Sequence, residues 1–185
     1  MPHIHTEPGQ HDLTVSAYIV RKEAGEWKCL VHMHNKLHKL LQVGGHVELT
    51  ETPWQAIEHE LREEAGYSLD ELAVLQPKKR VFHSDKNVVH PVPAMLMTHL
   101  FSSLHYHTDV GFAFIAAAVP AANPHDSESE DLRWYSLAEL EAAKDRHEIV
   151  LDVIENYRLV LEDYVTSWFS VPAGEYLLEH PLVSP

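Results

Sequence analysis

One cysteine, Cys29, occurs in 185 residues. An intrachain disulfide and a zinc site built from several thiolates are therefore excluded, and a reducing compartment fits best. Basic residues are also scarce: 14 Lys and Arg stand against 28 Asp and Glu, for a formal net charge of −14. Such a surplus repels polyanions at long range, so a nucleic-acid polymer is not an expected partner. A small anionic substrate remains open, provided that divalent cations sit between carboxylates and ligand. No apolar run reaches the ~18 residues needed to span a bilayer. The start, Met1-Pro2-His3-Ile4-His5, has no basic region followed by an apolar stretch. A cytoplasmic protein without a membrane partner is the expectation. Seven scattered glycines, with no glycine/serine linker and no internal repeat, mark no domain boundary, so residues 1–185 read as a single domain.

What is present is ordinary for a globular chain, with 45% hydrophobic and 23% charged residues. Thr14 to Arg21 and Trp27 to Met33 are β-branched, aromatic and apolar around a charged break, which predicts two strands joined by a turn. Leu40 to Gln42 and His46 to Glu48 read as short strand pieces around Gly44-Gly45, and Ala94 to Phe101 and His107 to Val119 have strand composition. Ile149, Val153, Ile154, Tyr157, Val160, Leu161 and Tyr164 recur at helical spacing, predicting one long amphipathic helix near His147 to Trp168. The architecture is mixed α/β. Residues 1–11 and 170–185 lack periodicity and are candidates for flexible or contact-forming ends, a homodimer contact among them.

Thr52 to Ala65 is the best-marked helix. Thr52 is placed as N-cap, Pro53 as first helical residue, Gln55 as partner in a capping box, and Gly66 as C-cap. Ser68 with Glu71 and Ser136 with Glu139 form two more capping boxes. At about 100° per residue, Glu60 and Glu64 lie about 40° apart on one helix face, with Glu63 about 60° to the other side of Glu60. The alternative for such an acidic trio is a solvated face; converging carboxylates otherwise call for a hard cation such as magnesium or manganese.

The run Gly45-His46-Val47-Glu48-Leu49-Thr50-Glu51, followed through His59-Glu60-Leu61-Arg62-Glu63-Glu64-Ala65-Gly66-Tyr67, resembles the signature of the Nudix hydrolases. Gly45, Glu51, Glu60, Leu61, Glu63, Glu64 and Gly66 fall in register, with Tyr67 as the closing apolar residue. The stretch Ser129 to Leu140, with Trp134 ahead of its helix, resembles a late segment of the same family. The resemblance implies an α/β/α sandwich with a mixed sheet and hydrolysis of a diphosphate by water attack on phosphorus. It further implies Mg2+ or Mn2+ held by Glu60, Glu64, Glu63 and the Gly45 carbonyl, with Glu51 supporting the helix or a bridging ion. The catalytic set is then Glu60, Glu63, Glu64 and His59. The general base is either a signature glutamate or a loop acid, with Glu128 and Glu130 as candidates. His59 departs from the pattern, standing where the family has an arginine that orients a catalytic glutamate. A histidine can do this as a shorter, titratable donor, and neighbouring Glu58, Glu60 and Glu63 favour its protonated form.

His105, His107 and Asp109 alternate along a strand and share one face, with His90 and His99 upstream. A second metal or phosphate site there competes with a plain polar strand face. His3, His5, His11 and Asp12 read as a solvated arm. Trp54 and Cys29 are expected in the core rather than in chemistry. Two functions stand open: a metal-dependent pyrophosphohydrolase acting on a nucleoside diphosphate linked to another group, and a catalytically weak module that binds a nucleotide or sugar-nucleotide.

Overall fold

A computed structural model describes residues 9–102, 105–125 and 131–179. In chain order the strands are β1 (His11–Glu23), β2 (Glu26–His34), β3 (Lys39–Leu41), β4 (Val43–His46), β5 (Leu72–Gln76), β6 (Met95–Ser102), β7 (His105–Ala116), β8 (Leu132–Tyr135) and β9 (Phe169–Pro172). The helices are α1 (Pro53–Ala65), α2 (Leu137–Asp145) and α3 (Leu151–Leu159). The strands form one mixed sheet with β1 and β7 parallel at its centre, registered from His11 against Tyr106 to Val20 against Ile115. Antiparallel β2 and β4 pair with β1, while β5 and β6 pair antiparallel with β7.

Alternation along the central strands separates two cores. Val15, Ala17, Ile19, Phe112 and Phe114 pack on one face with Trp54, Ile57 and Leu61 of α1. Tyr18, Val20, Cys29 and Ala113 pack on the other with Leu140 of α2 and Val153, Ile154 and Tyr157 of α3. This is the expected α/β/α sandwich. Trp54 is fully buried against Phe112, Phe114 and Tyr176, and burying side chains of this class contributes about 1.5–3 kcal/mol each. Leu61 is also fully buried, and Leu61→Ala would cost about 2–5 kcal/mol.

The capped helix forms as its sequence directs. The Thr52 side chain accepts from the Gln55 amide, the Gln55 side chain accepts from the Thr52 amide, and Gly66 closes α1 with φ 71°, a left-handed conformation that glycine adopts without strain. The other two boxes also form, Ser68 with Glu71 opening a short 3-10 turn and Ser136 with Glu139 opening α2.

Four expectations are corrected. The long helix begins later than His147, because Ile149 bridges to Leu40 and the Leu40 amide donates to the Glu148 carbonyl. It is also not α-helical throughout: α3 passes into a π-helical turn at Val160–Tyr164 and a last helical turn at Val165–Ser167. The strand piece expected at His46 to Glu48 lies earlier, with Gly44-Gly45 inside β4 rather than beside it. Residues 170–179 are no loose end: β9 pairs with β5, and Val171, Ala173 and Tyr176 enter the α1-side core. Among the described residues, no helix is long and apolar enough to cross a membrane.

Candidate active site

The seam between α1 and β4 holds the acidic residues. Glu60 and Glu64 sit beside the apolar stripe of α1 and are buried, at 4% and 7% exposure. Their burial depends on the two glycines facing them. The Gly44 amide donates to Glu64 Oε2 at 2.9 Å. A Cβ at Gly45 would stand 1.9 Å from Glu60 Oε1, so the glycine leaves the space that the carboxylate fills. Buried carboxylates are costly without positive charge or donors around them. Hard oxygen donors of this kind, together with the Gly45 carbonyl in β4, suit magnesium or manganese. The residues present therefore fit a divalent ion.

Glu63 turns another way. Its side chain is 41% exposed, and His59 Nε2 lies 3.0 Å from Glu63 Oε1. The other ring nitrogen, Nδ1, lies 3.3 Å from Glu51 Oε1. His59 thus bridges the loop glutamate and the helix glutamate, as an orienting donor must. Partial burial works against a charged ring, but the hydrogen bond to Glu63 and the charges of Glu63, Glu51 and Glu60 outweigh it, and the His59 pKa is raised. Glu58, expected to contribute, instead pairs with Arg62 one turn along.

The sequence reading missed His32. It lies on the α1 side of β2, with Nε2 3.6 Å from Glu64 Oε2. Burial, followed by the charge of His34, lowers its pKa to about 4. The ring is therefore neutral near pH 7, and its contact with Glu64 is dipolar rather than an ion pair. Alternation along β2, which puts His32 on the face of Leu30, was the available signal. Glu128 and Glu130 lie outside the described residues; the chain leading toward them reaches α1 through the His125 amide, which donates to the Glu63 carbonyl at 2.7 Å.

The proposed His105, His107 and Asp109 group is divided by the structure. All three are buried on one face, but Asp109 Oδ1 accepts from Thr14 and Ser16, at 2.8 and 3.0 Å. Burial, partly offset by these hydrogen bonds, raises the Asp109 pKa. The carboxylate beside the histidines belongs instead to Asp12, which is buried in β1 rather than lying in a solvated arm. Cys29 is buried as expected, and burial pushes its thiol up to about 12.

Residues 10–156 match the family model described as the NUDIX domain. A search of curated protein sequences returns no match. A NUDIX-family hydrolase from Clostridium perfringens superposes with a TM-score of 0.63 at 26% identity, over 82% of this chain and 96% of that one. Ap4A hydrolase from C. elegans gives 0.58 at 18% identity, over 82% and 98% of the two chains. The NUDIX domain of Shewanella oneidensis NrtR, complexed with ADP ribose, gives 0.61 at 13% identity, over 83% and 88%. These last two likenesses bear on the fold.

Proposed function

This chain belongs to the NUDIX domain family and is a hydrolase of pyrophosphate bonds; on that premise we propose that it is a divalent-metal-dependent enzyme that cleaves the diphosphate of a nucleoside diphosphate linked to another moiety. The observation that carries this reading is the burial of Glu60 and Glu64 against Gly44 and Gly45.

Glu60, Glu64 and the Gly45 carbonyl are the residues to hold the ion, while Glu63, partly exposed and turned towards His59, is left for proton transfer. Magnesium or manganese, when bound, supplies charge neutralisation for the diphosphate and lowers the pKa of the attacking water. Water attacks one phosphorus, the P–O–P bridge breaks on its far side, and the water's proton passes to a carboxylate. Glu63 suits that last role, because it is the accessible member of the trio and His59 fixes one of its oxygens while leaving the other free of that contact. His59 acts through Glu63 and is a positioning residue. A binding-only module would have no use for that steering, which favours turnover.

The partner class is a small diphosphate rather than a polymer, since a net charge of −14 disfavours polyanions unless ions intervene. The test is a panel of nucleoside diphosphate-linked compounds, with ADP ribose and Ap4A included, incubated with the full chain and Mg2+ and read by chromatography of the nucleotide products. Turnover that disappears on chelation and returns with Mg2+ is expected. Undiminished turnover after exhaustive chelation would sink the metal-dependent reading, and tight binding without turnover would establish the module instead.

A further inference from the structure

The sheet face turned away from α1 carries a second group of ligating side chains, which the hydrolytic site does not use. Asp12 is at 0% exposure in β1, and His105 and His107 are buried on β7. Their meeting follows from strand geometry. Alternation puts His105 and His107 on one face, and the parallel register that sets Asp12 against His107 adds the carboxylate to it. His105 Nε2 lies 3.2 Å from Asp12 Oδ2. His46, at the end of β4, reaches the same oxygen with Nε2 at 3.5 Å. Phe101 stacks on His107 with ring centroids 4.6 Å apart, giving the group an aromatic wall.

We propose that Asp12, His105 and His107 bind one divalent transition-metal ion of the zinc class. One ligand atom from each residue already lies within 4.8 Å of the others. Two ligands on a tetrahedral zinc, at about 2.0–2.2 Å each, are about 3.3–3.6 Å apart; the His105–Asp12 pair is already at 3.2 Å, and side-chain rotations that move the remaining ligand atom by about 1 Å close the site. Two imidazole nitrogens and one carboxylate suit zinc and its neighbours, whereas magnesium takes oxygen ligands and keeps its waters. The donor set thus separates this site from the all-oxygen set on α1. Three protein ligands leave a fourth position for water or for His46. An ion here fastens β1 to β7 and, through the contact between Asp12 and His46, stands next to the Gly44-Gly45 segment. The competing account is a metal-free Asp–His hydrogen-bonded group.

The experiment uses the untagged full chain, stripped of metal by chelation and then kept in excess Mg2+ so that oxygen sites are filled. Zn2+ is titrated by calorimetry, and Co2+ by visible absorption. One equivalent of Zn2+ is expected, with a Co2+ spectrum of four- or five-coordinate intensity and a Zn2+-dependent rise in Tm. Asp12→Asn and His107→Gln, each checked for folding by circular dichroism, should weaken Zn2+ binding by at least about 10-fold, while Glu60→Gln should leave it unchanged. If Asp12→Asn fails to fold, His107→Gln and the wild-type Co2+ spectrum decide. Absence of stoichiometric Zn2+ binding in Mg2+ overturns the proposal, as does binding that survives both variants, whether or not Glu60→Gln removes it.

Discussion

The Glu60 carboxylate occupies the volume that a side chain at Gly45 would need, with Oε1 only 1.9 Å from the ideal Cβ position. Gly45→Ala must therefore displace either the glutamate or β4. We expect a kcat at least about 10-fold lower, because a displaced metal ligand loses the geometry that catalysis needs, together with a higher Mg2+ requirement. Titrating activity against Mg2+ for the variant and wild type checks this; matching curves would show that Glu60 is not a ligand.

Glu64→Gln and Glu63→Gln are nearly isosteric, so the fold should persist while kcat falls by at least about 100-fold in each. Glu64 sits on the Gly44 amide and Glu63 on the His59 ring. The measurement is kcat and KM with a folding control. Retention of more than about a third of wild-type kcat would remove that residue from the machinery.

His59 reaches Glu51 through one ring nitrogen and Glu63 through the other. His59→Ala should lower kcat by about 10-fold or more, the scale of one lost orienting hydrogen bond to a charged group, with KM little changed. His59→Arg should retain most activity, since a guanidinium can donate to both carboxylates. Equal kcat values in all three proteins would make His59 a bystander.

Cys29 is buried, and its thiol is pushed up to about 12. The thiolate is the reactive form, so a disulfide reagent at pH 8 should leave the native protein essentially unlabelled and modify one thiol per chain after denaturation. Rapid labelling of the native protein would contradict the burial.

Glu139 accepts from the Ser136 amide at 2.7 Å and from Lys28 at 3.0 Å. These contacts, the amide first, hold its carboxyl at about 2, below the unfolded value near 4.3. The ionised form is thus favoured in the folded state. Its contribution is complete above the unfolded pKa and disappears as pH falls from about 4.3 towards 2. Glu139→Gln should be less stable than wild type at pH 7, by a margin that added salt trims and that closes near pH 2. Denaturant titrations at both pH values check the sign; a gap that widens on acidification would refute it.

The sequence by itself determined the features that are local. The caps at Thr52, Ser68 and Ser136 are satisfied within a few residues of themselves, and a helix of known period carries Glu60, Glu63 and Glu64 whatever surrounds it. The signature from Gly45 to Tyr67 was legible as a resemblance, because its residues are contiguous in the chain. Tertiary structure decided what depends on partners distant in the chain. Gly44-Gly45 read as a break because glycine weakens a strand, yet pairing with β1 holds both residues in β4. Residues 169–172 lack any pattern that would mark them as the strand that completes β5. Asp12 and His107 lie far apart in sequence and meet through the β1–β7 register. Local hydrogen bonding and helical period are written in neighbouring residues, whereas register and the face a strand presents are fixed when separate segments bury their apolar sides together.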